Sequence, residues 1–165
     1  MTVNIATNVL NQLKTLLVQL TDEDLATQLL VFNGSSLGKH SRHVVEFFQC
    51  LMKSTTEGVV NYDARTRDLR LEEDVKYSIK VLDKITECLT KNSFDNINIS
   101  LVSEFGNEQR IAVLTNFNRE LIYLIEHSVH HFALMRIGVQ ENFPHVYLSN
   151  DFGVADSTIK HLNNF

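Results

Sequence analysis

The sequence predicts an all-α protein, a bundle of helices joined by long crossovers, with one small β-hairpin between the third and fourth long helices. Three observations predict it. The 165 residues hold one proline, six glycines and no tryptophan, too little punctuation for a sandwich of many short strands. Apolar residues recur at helical spacing in four long segments. The connections between those segments are long, which suggests neighbours that are not adjacent in sequence.

The first helix is expected from Thr2 to Leu20, where Val9, Leu10, Leu13, Leu16, Leu17 and Leu20 form one stripe. Thr21-Asp22-Glu23-Asp24 then places a hydroxyl and three carboxylates at the start of a new helical turn, and Asn33-Gly34 closes that piece. Ser35 or Ser36 caps the second long helix, with His40, His43, Val44, Phe47, Phe48 and Leu51 on its inner face and Lys39, Arg42 and Lys53 reaching water. Gly58 to Asp74 has no clean period and is expected to be a long structured loop. Asp74 caps the third helix, whose stripe runs from Val75 to Leu89. Ile97, Ile99 and Leu101 alternate with polar residues, and Gly106-Asn107 separates them from the β-branched run Arg110 to Leu114, the pattern of a hairpin. Asn116 precedes the most apolar segment, Phe117 to Ile137, which should be the central helix. Asp156 or Ser157 can cap a last turn or two. With no repeat, low-complexity tract or Pro/Gly/Ser linker, residues 1–165 are expected to form a single domain.

Charge excludes some partners. A formal net charge of −5 and a pI near 5.8 argue against nucleic acid and against a polybasic membrane surface. Thr21, Lys53 and Glu126 interrupt the most apolar stretches before they reach the ~18 residues of a membrane span. Cys50 and Cys88 make no disulfide framework or zinc knuckle, and no basic segment precedes an apolar core at the N-terminus, so a reducing cytoplasm is the expected location.

Chemistry concentrates in LIEHSVHHFALM. At about 100° per residue, His127 and His131 are separated by only about 40° on one helix face, whereas His130 is displaced about 60° the other way. Glu120, seven residues before His127, shares the inward stripe with Leu124. A helical histidine pair alone is more often a surface pair or two separate core residues than a metal site, so a third ligand decides the matter. The second helix offers His40 and His43, and only His43 is embedded in the apolar run HVVEFF, where an unpaired imidazole needs a partner. His40 and His130 are expected to be dispensable for the metal. Three neutral imidazoles suit Zn²⁺, Ni²⁺ or Fe²⁺ and leave coordination positions for water or a small-molecule substrate. Cys50 is expected to be core packing.

Four stretches, SSLGKHSRHVVEF, NYDARTRD, NRELIYLIEHSVHHFAL and DFGVADST, resemble the DinB-like superfamily, specifically its bacterial branch of unassigned activity. The resemblance implies an up-down-down-up four-helix bundle, often a homodimer, with one divalent metal held by a histidine of the second helix and an HxxxH pair of the fourth. The matching positions are His43, His127 and His131. Some members of the superfamily are transferases or isomerases that act with low-molecular-weight thiols, so the resemblance also implies such a thiol as a partner. Asn61 stands where the branch tends to carry an acid, and Asp156 where it tends to carry proline.

In YDARTRD, residues Asp63, Arg65, Arg67 and Asp68 can brace the loop or bind an anionic substrate, and alternating charge favours bracing. Arg119-Glu120 opens the central helix. Glu120 is expected to be a buried salt-bridge partner or an acceptor that orients a ligand imidazole, ahead of a general base. Tyr62 is either a core aromatic or a substrate contact. The functional expectation is a metal-dependent enzyme, a hydrolase or a thiol-dependent transferase. The alternatives are a non-catalytic metal-binding or stress-related module and a dimerising bundle without metal.

Overall fold

The computed structural model describes residues 1–94, 97–105 and 109–162. The chain is neither all-α nor a simple four-helix bundle. It is 64% helical, and its described residues form seven α-helices and two sheets with five strands between them. In order they are α1 (Thr2–Leu17), α2 (Asp22–Ala26), β1 (Gln28–Leu29), a 3₁₀ turn (Leu30–Phe32), β2 (Ser35–Ser36), α3 (Leu37–Glu57), β3 (Val59–Val60), α4 (Arg70–Glu73), α5 (Val75–Lys91), β4 (Asn98–Phe105), β5 (Gln109–Asn116), α6 (Phe117–Asn142) and α7 (Asp156–Leu162). Among the described residues no helix is long and apolar enough to cross a membrane.

The long helices start where their caps dictate. Ser36 accepts from the Lys39 N–H, Asp74 from the Tyr77 N–H and Asn116 from the Arg119 N–H, each satisfying one orphan donor of a first turn. α1 ends before the expected Leu20, where the Gln19 and Leu20 N–H groups donate to the Leu16 and Leu17 carbonyls in i→i+3 turns. There Thr21 and Asp24 form a reciprocal capping box that starts α2 in a new direction. Leu20 stays buried even so. The α1 stripe Ala6, Val9, Leu10, Leu13, Leu16 and Leu17 is buried against α5 and α6, and α3 lies on α5 and α6. Phe48, Phe117 and Phe132 are fully buried in this core.

What overturns the all-α expectation is a three-stranded sheet in the order β3-β4-β5 and a two-stranded one, β1-β2. The hairpin is present with antiparallel register Asn98↔Asn116 to Phe105↔Gln109, eight residues a side. The expected Gly106-Asn107 turn lies outside the described residues. The segment from Gly58 to Asp74, expected to be a loop, contributes β3, parallel to β4 through Val59↔Ser100 and Val60↔Leu101. Two-residue strands show no alternation to read, so their pairing is set by tertiary contact and not by local pattern. Phe117 N–H donates to the Ile97 carbonyl at 2.9 Å, which ties the start of α6 to the hairpin.

Close backbone approaches fix α3 and α6. A Cβ on Gly38 would sit 2.2 Å from the Glu72 carbonyl oxygen, so α3 can rest against α4 only through a glycine. α6 continues past its expected end at Ile137, and Gly138 inside it leaves the space that the Phe32 ring fills. The DFGVADST segment clamps α6 from outside: Phe152 stacks on Phe132 with centroids 4.7 Å apart, and Arg136 Nε donates to the Phe152 carbonyl at 2.8 Å.

Gly38→Ala should destabilise the protein by about 1–3 kcal/mol, because the added methyl meets rigid backbone and not a movable side chain. Denaturant unfolding checks this, and α3 should shift away from α4.

Candidate metal centre

α3 carries His40 and His43, α6 carries His127, His130 and His131, and the two helices pack face to face. His43 Nε2 is 2.8 Å from His127 Nε2, and His131 Nε2 is 3.2 Å from the same atom. One ligand nitrogen from each of the three lies within 4.8 Å of the others, so the cluster can hold a metal ion. Bonds of about 2.0–2.1 Å in tetrahedral directions would put ligand nitrogens ~3.3 Å apart, near the two distances measured from His127 Nε2.

Hydrogen bonding alone does not account for this convergence. A neutral imidazole nitrogen carries either one hydrogen or one in-plane lone pair. His127 Nε2 therefore cannot make two good hydrogen bonds, one to each neighbour, whereas a cation can accept all three lone pairs at once. Electrostatics favours the required protonation state. Burial holds His43 down at about 4, helped by Arg65 and the neighbouring histidines, and holds His131 down at about 3, helped by His43, His127 and His40. Burial, then His130 and Arg65, lowers His127 as well. The imidazoles are thus neutral at pH 7, the form that binds metals.

Aromatic rings set the orientation of the ligands. Phe47 packs on His43 with centroids 4.3 Å apart and stacks on His127 at 4.8 Å, while Tyr123 lies against His127 at 5.5 Å. His130 is exposed and off the cluster, as its helical angle implies. His40 is closer to the site than its place on α3 suggests: its Nδ1 is 3.0 Å from His131 Nδ1. Cys50 takes no part in the cluster, and burial raises its thiol pKa.

Beyond the Phe47 and Tyr123 rings opens a cleft of about 400 Å³ lined by Tyr62, Asp63, Arg119, Glu120 and apolar residues of β4 and β5. Glu120 is fully buried and accepts from Tyr62 Oη at 3.0 Å, Thr115 Oγ1 at 2.7 Å and Arg119 Nη1 at 2.8 Å. Its carboxylate is occupied there, and no bond runs from it to a histidine. Burial and the adjacent Glu120 push the Tyr62 phenol pKa upward, so Tyr62 remains a donor.

The Tyr62–Asp68 loop is braced, mostly by partners outside the motif. Asp63 Oδ2 accepts from Ser103 Oγ and the Glu104 N–H, both at 3.1 Å. Asp68 pairs with Arg70 at 3.0 Å, and Arg65 donates to the Tyr62 carbonyl. Arg67 is exposed, with φ 55°, and does not line the cleft. Glu46, not singled out from the sequence, is a buried carboxylate that accepts the Asp68 N–H at 2.8 Å and lies within 4 Å of Arg42 and Arg65. Its signal was present: one acid inside the apolar run HVVEFF needs a buried cation. Arg42, expected to reach water, lies largely buried beside Glu46 and pairs with Glu72 at 2.9 Å.

No family model matches the chain, and no solved structure matches it significantly. FK506-binding protein 5 of Rhizopus delemar is 28% identical over 114 residues, covering 66% of this chain and 29% of that protein. The chain thus spans less than a third of that relative's length.

The depressed histidines predict the acid behaviour of the metal-free protein. Above pH 6.5 both folded and unfolded chains hold them neutral. As pH falls from there toward about 4 and then about 3, the unfolded chain takes up protons that folded His43 and His131 refuse, so stability drops. Thermal melts in chelator should show a smaller acid loss for His131→Gln than for the unaltered chain; equal losses would show that His131 titrates normally.

Proposed function

We propose that this chain is a metal-dependent enzyme that holds one divalent ion through His43, His127 and His131 and presents its open coordination positions to a small molecule. The observation that carries the proposal is the meeting of three Nε2 atoms at one point, two of them 2.8 and 3.2 Å from the third. Zinc or nickel suits three imidazoles best and iron is compatible. Such an ion would lower the pKa of a bound water or thiol and so supply a nucleophile at neutral pH.

The resemblance of the four sequence stretches to the DinB-like superfamily supports the same ligand set. It also supports a low-molecular-weight thiol as cosubstrate and a homodimer as the assembly. The cleft on the far side of the Phe47 and Tyr123 rings, both of which pack on His127, is large enough for a small organic substrate and is lined by Tyr62, Arg119 and Glu120. Two free cysteines suit a reducing compartment.

One observation favours the non-catalytic alternative, a metal-binding or sensing module. Glu120, the buried acid that lines the cleft, is already engaged by three donors, so it offers no free base. A thiol titration separates the two. Protein purified without added metal should contain about one divalent ion per chain, and His131→Ala should contain none while keeping its helical signal. Cobalt-substituted protein should gain a thiolate-to-metal charge-transfer band with a small thiol, and His43→Ala should lack it. A cobalt spectrum that no thiol changes would assign the site to binding alone, and full metal retention in folded His131→Ala would refute the centre.

A further inference from the structure

We infer that His40 is a positioning residue of the metal centre: its Nδ1 accepts the Nδ1–H of His131 and thereby commits the Nε2 lone pair of His131 to the ion. The inference rests on the three-histidine site proposed above and extends it to a residue outside the ligand set.

His131 has two neutral tautomers, and only the one with hydrogen on Nδ1 leaves Nε2 free to bind a cation. At 3.0 Å the two Nδ1 atoms are at hydrogen-bond distance, so one must donate and the other accept. When His131 Nε2 is ligated, its Nδ1 carries the hydrogen. His40 Nδ1 is then the acceptor. Glu120, the acceptor that the chain order suggests, is taken up by Tyr62, Thr115 and Arg119. Ligand histidines ordinarily give their second N–H to a fixed acceptor, and His40 occupies that place here.

The rest of the fold holds His40 in its orientation. Phe32, on the turn before β2, meets the His40 ring edge-on, with centroids 4.8 Å apart and planes at 68°. Phe32 is itself seated over Gly138, where a Cβ would come within 2.2 Å of its Cζ. A glycine in a helix interior is disfavoured relative to alanine, and at position 138 the vacant volume admits Phe32. Gly138 stands two turns beyond His131 on α6. A single helix thus carries both the ligand and the notch that seats the support of its partner.

The test uses the full chain, loaded with zinc, and three variants. His40→Ala should bind one ion per chain at saturation with affinity reduced ~10–100-fold. His40→Asn, whose side-chain oxygen can stand near the Nδ1 position, should restore most of that loss. Nitrogen-15 spectra of histidine-labelled protein should show a protected His131 Nδ1–H in the unaltered chain and its loss in His40→Ala. Unchanged affinity in His40→Ala, or an unprotected His131 Nδ1–H in the unaltered zinc protein, would overturn the inference. His131→Ala serves as the control for the underlying site: if it keeps its zinc, the three-histidine centre fails, and the role of His40 with it. If it loses zinc while His40→Ala matches the unaltered chain, only the role of His40 fails.

Discussion

Each imidazole nitrogen offers one lone pair in one direction, and the α3–α6 contact brings three of them to a common point. That constraint is exacting. A rotation of α3 by one residue would replace His43 with a neighbour, and a slip of α6 by one residue would turn His127 and His131 off the shared face. The packing that prevents either movement surrounds the site. Phe47 packs against both His43 and His127, Phe132 follows His131 directly and is fully buried, and Phe152 stacks on Phe132.

Backbone proximity does as much as side-chain packing. Gly38 lets the start of α3 rest on the Glu72 carbonyl, and Gly138 lets Phe32 press onto α6. The buried Glu46, three residues after His43, holds the Asp68 N–H and lies beside Arg65. That arginine sits over Phe47, with its guanidinium carbon 4.9 Å from the ring centre. The loop motif and the histidine cluster are therefore parts of one packed unit: loop to Arg65, Arg65 to Phe47, and Phe47 to two of the three ligands. A protein assembled this way can keep neutral imidazoles half-buried with no carboxylate bonded to them, because aromatic rings provide the orientation.

The long helices were legible in the sequence because cap and stripe coincide: Ser36, Asp74 and Asn116 each stand one residue before an apolar period and each makes the expected bond. The β content was legible only in the hairpin. Val59 and Val60 pair with Ser100 and Leu101 far along the chain, and two residues cannot display a period. The same distinction holds at the site. His43, His127 and His131 followed from helical angles and an apolar context, which are local. His40 did not, since its contact with His131 depends on ring orientation set by Phe32 on a separate turn and by a glycine on another helix. Glu120 was correctly expected to be buried. Its partners came from β5, the loop and its own neighbour Arg119, which helical arithmetic alone does not identify.

X-ray absorption at the metal edge of the zinc-loaded protein tests the central claim most directly. Three histidine nitrogens at about 2.0–2.1 Å, with the outer-shell scattering of imidazole rings and one or more lighter donors completing the set, is the result predicted by the convergence of His43, His127 and His131. A sulfur shell at about 2.3 Å, or fewer than two imidazoles on the ion, would contradict it.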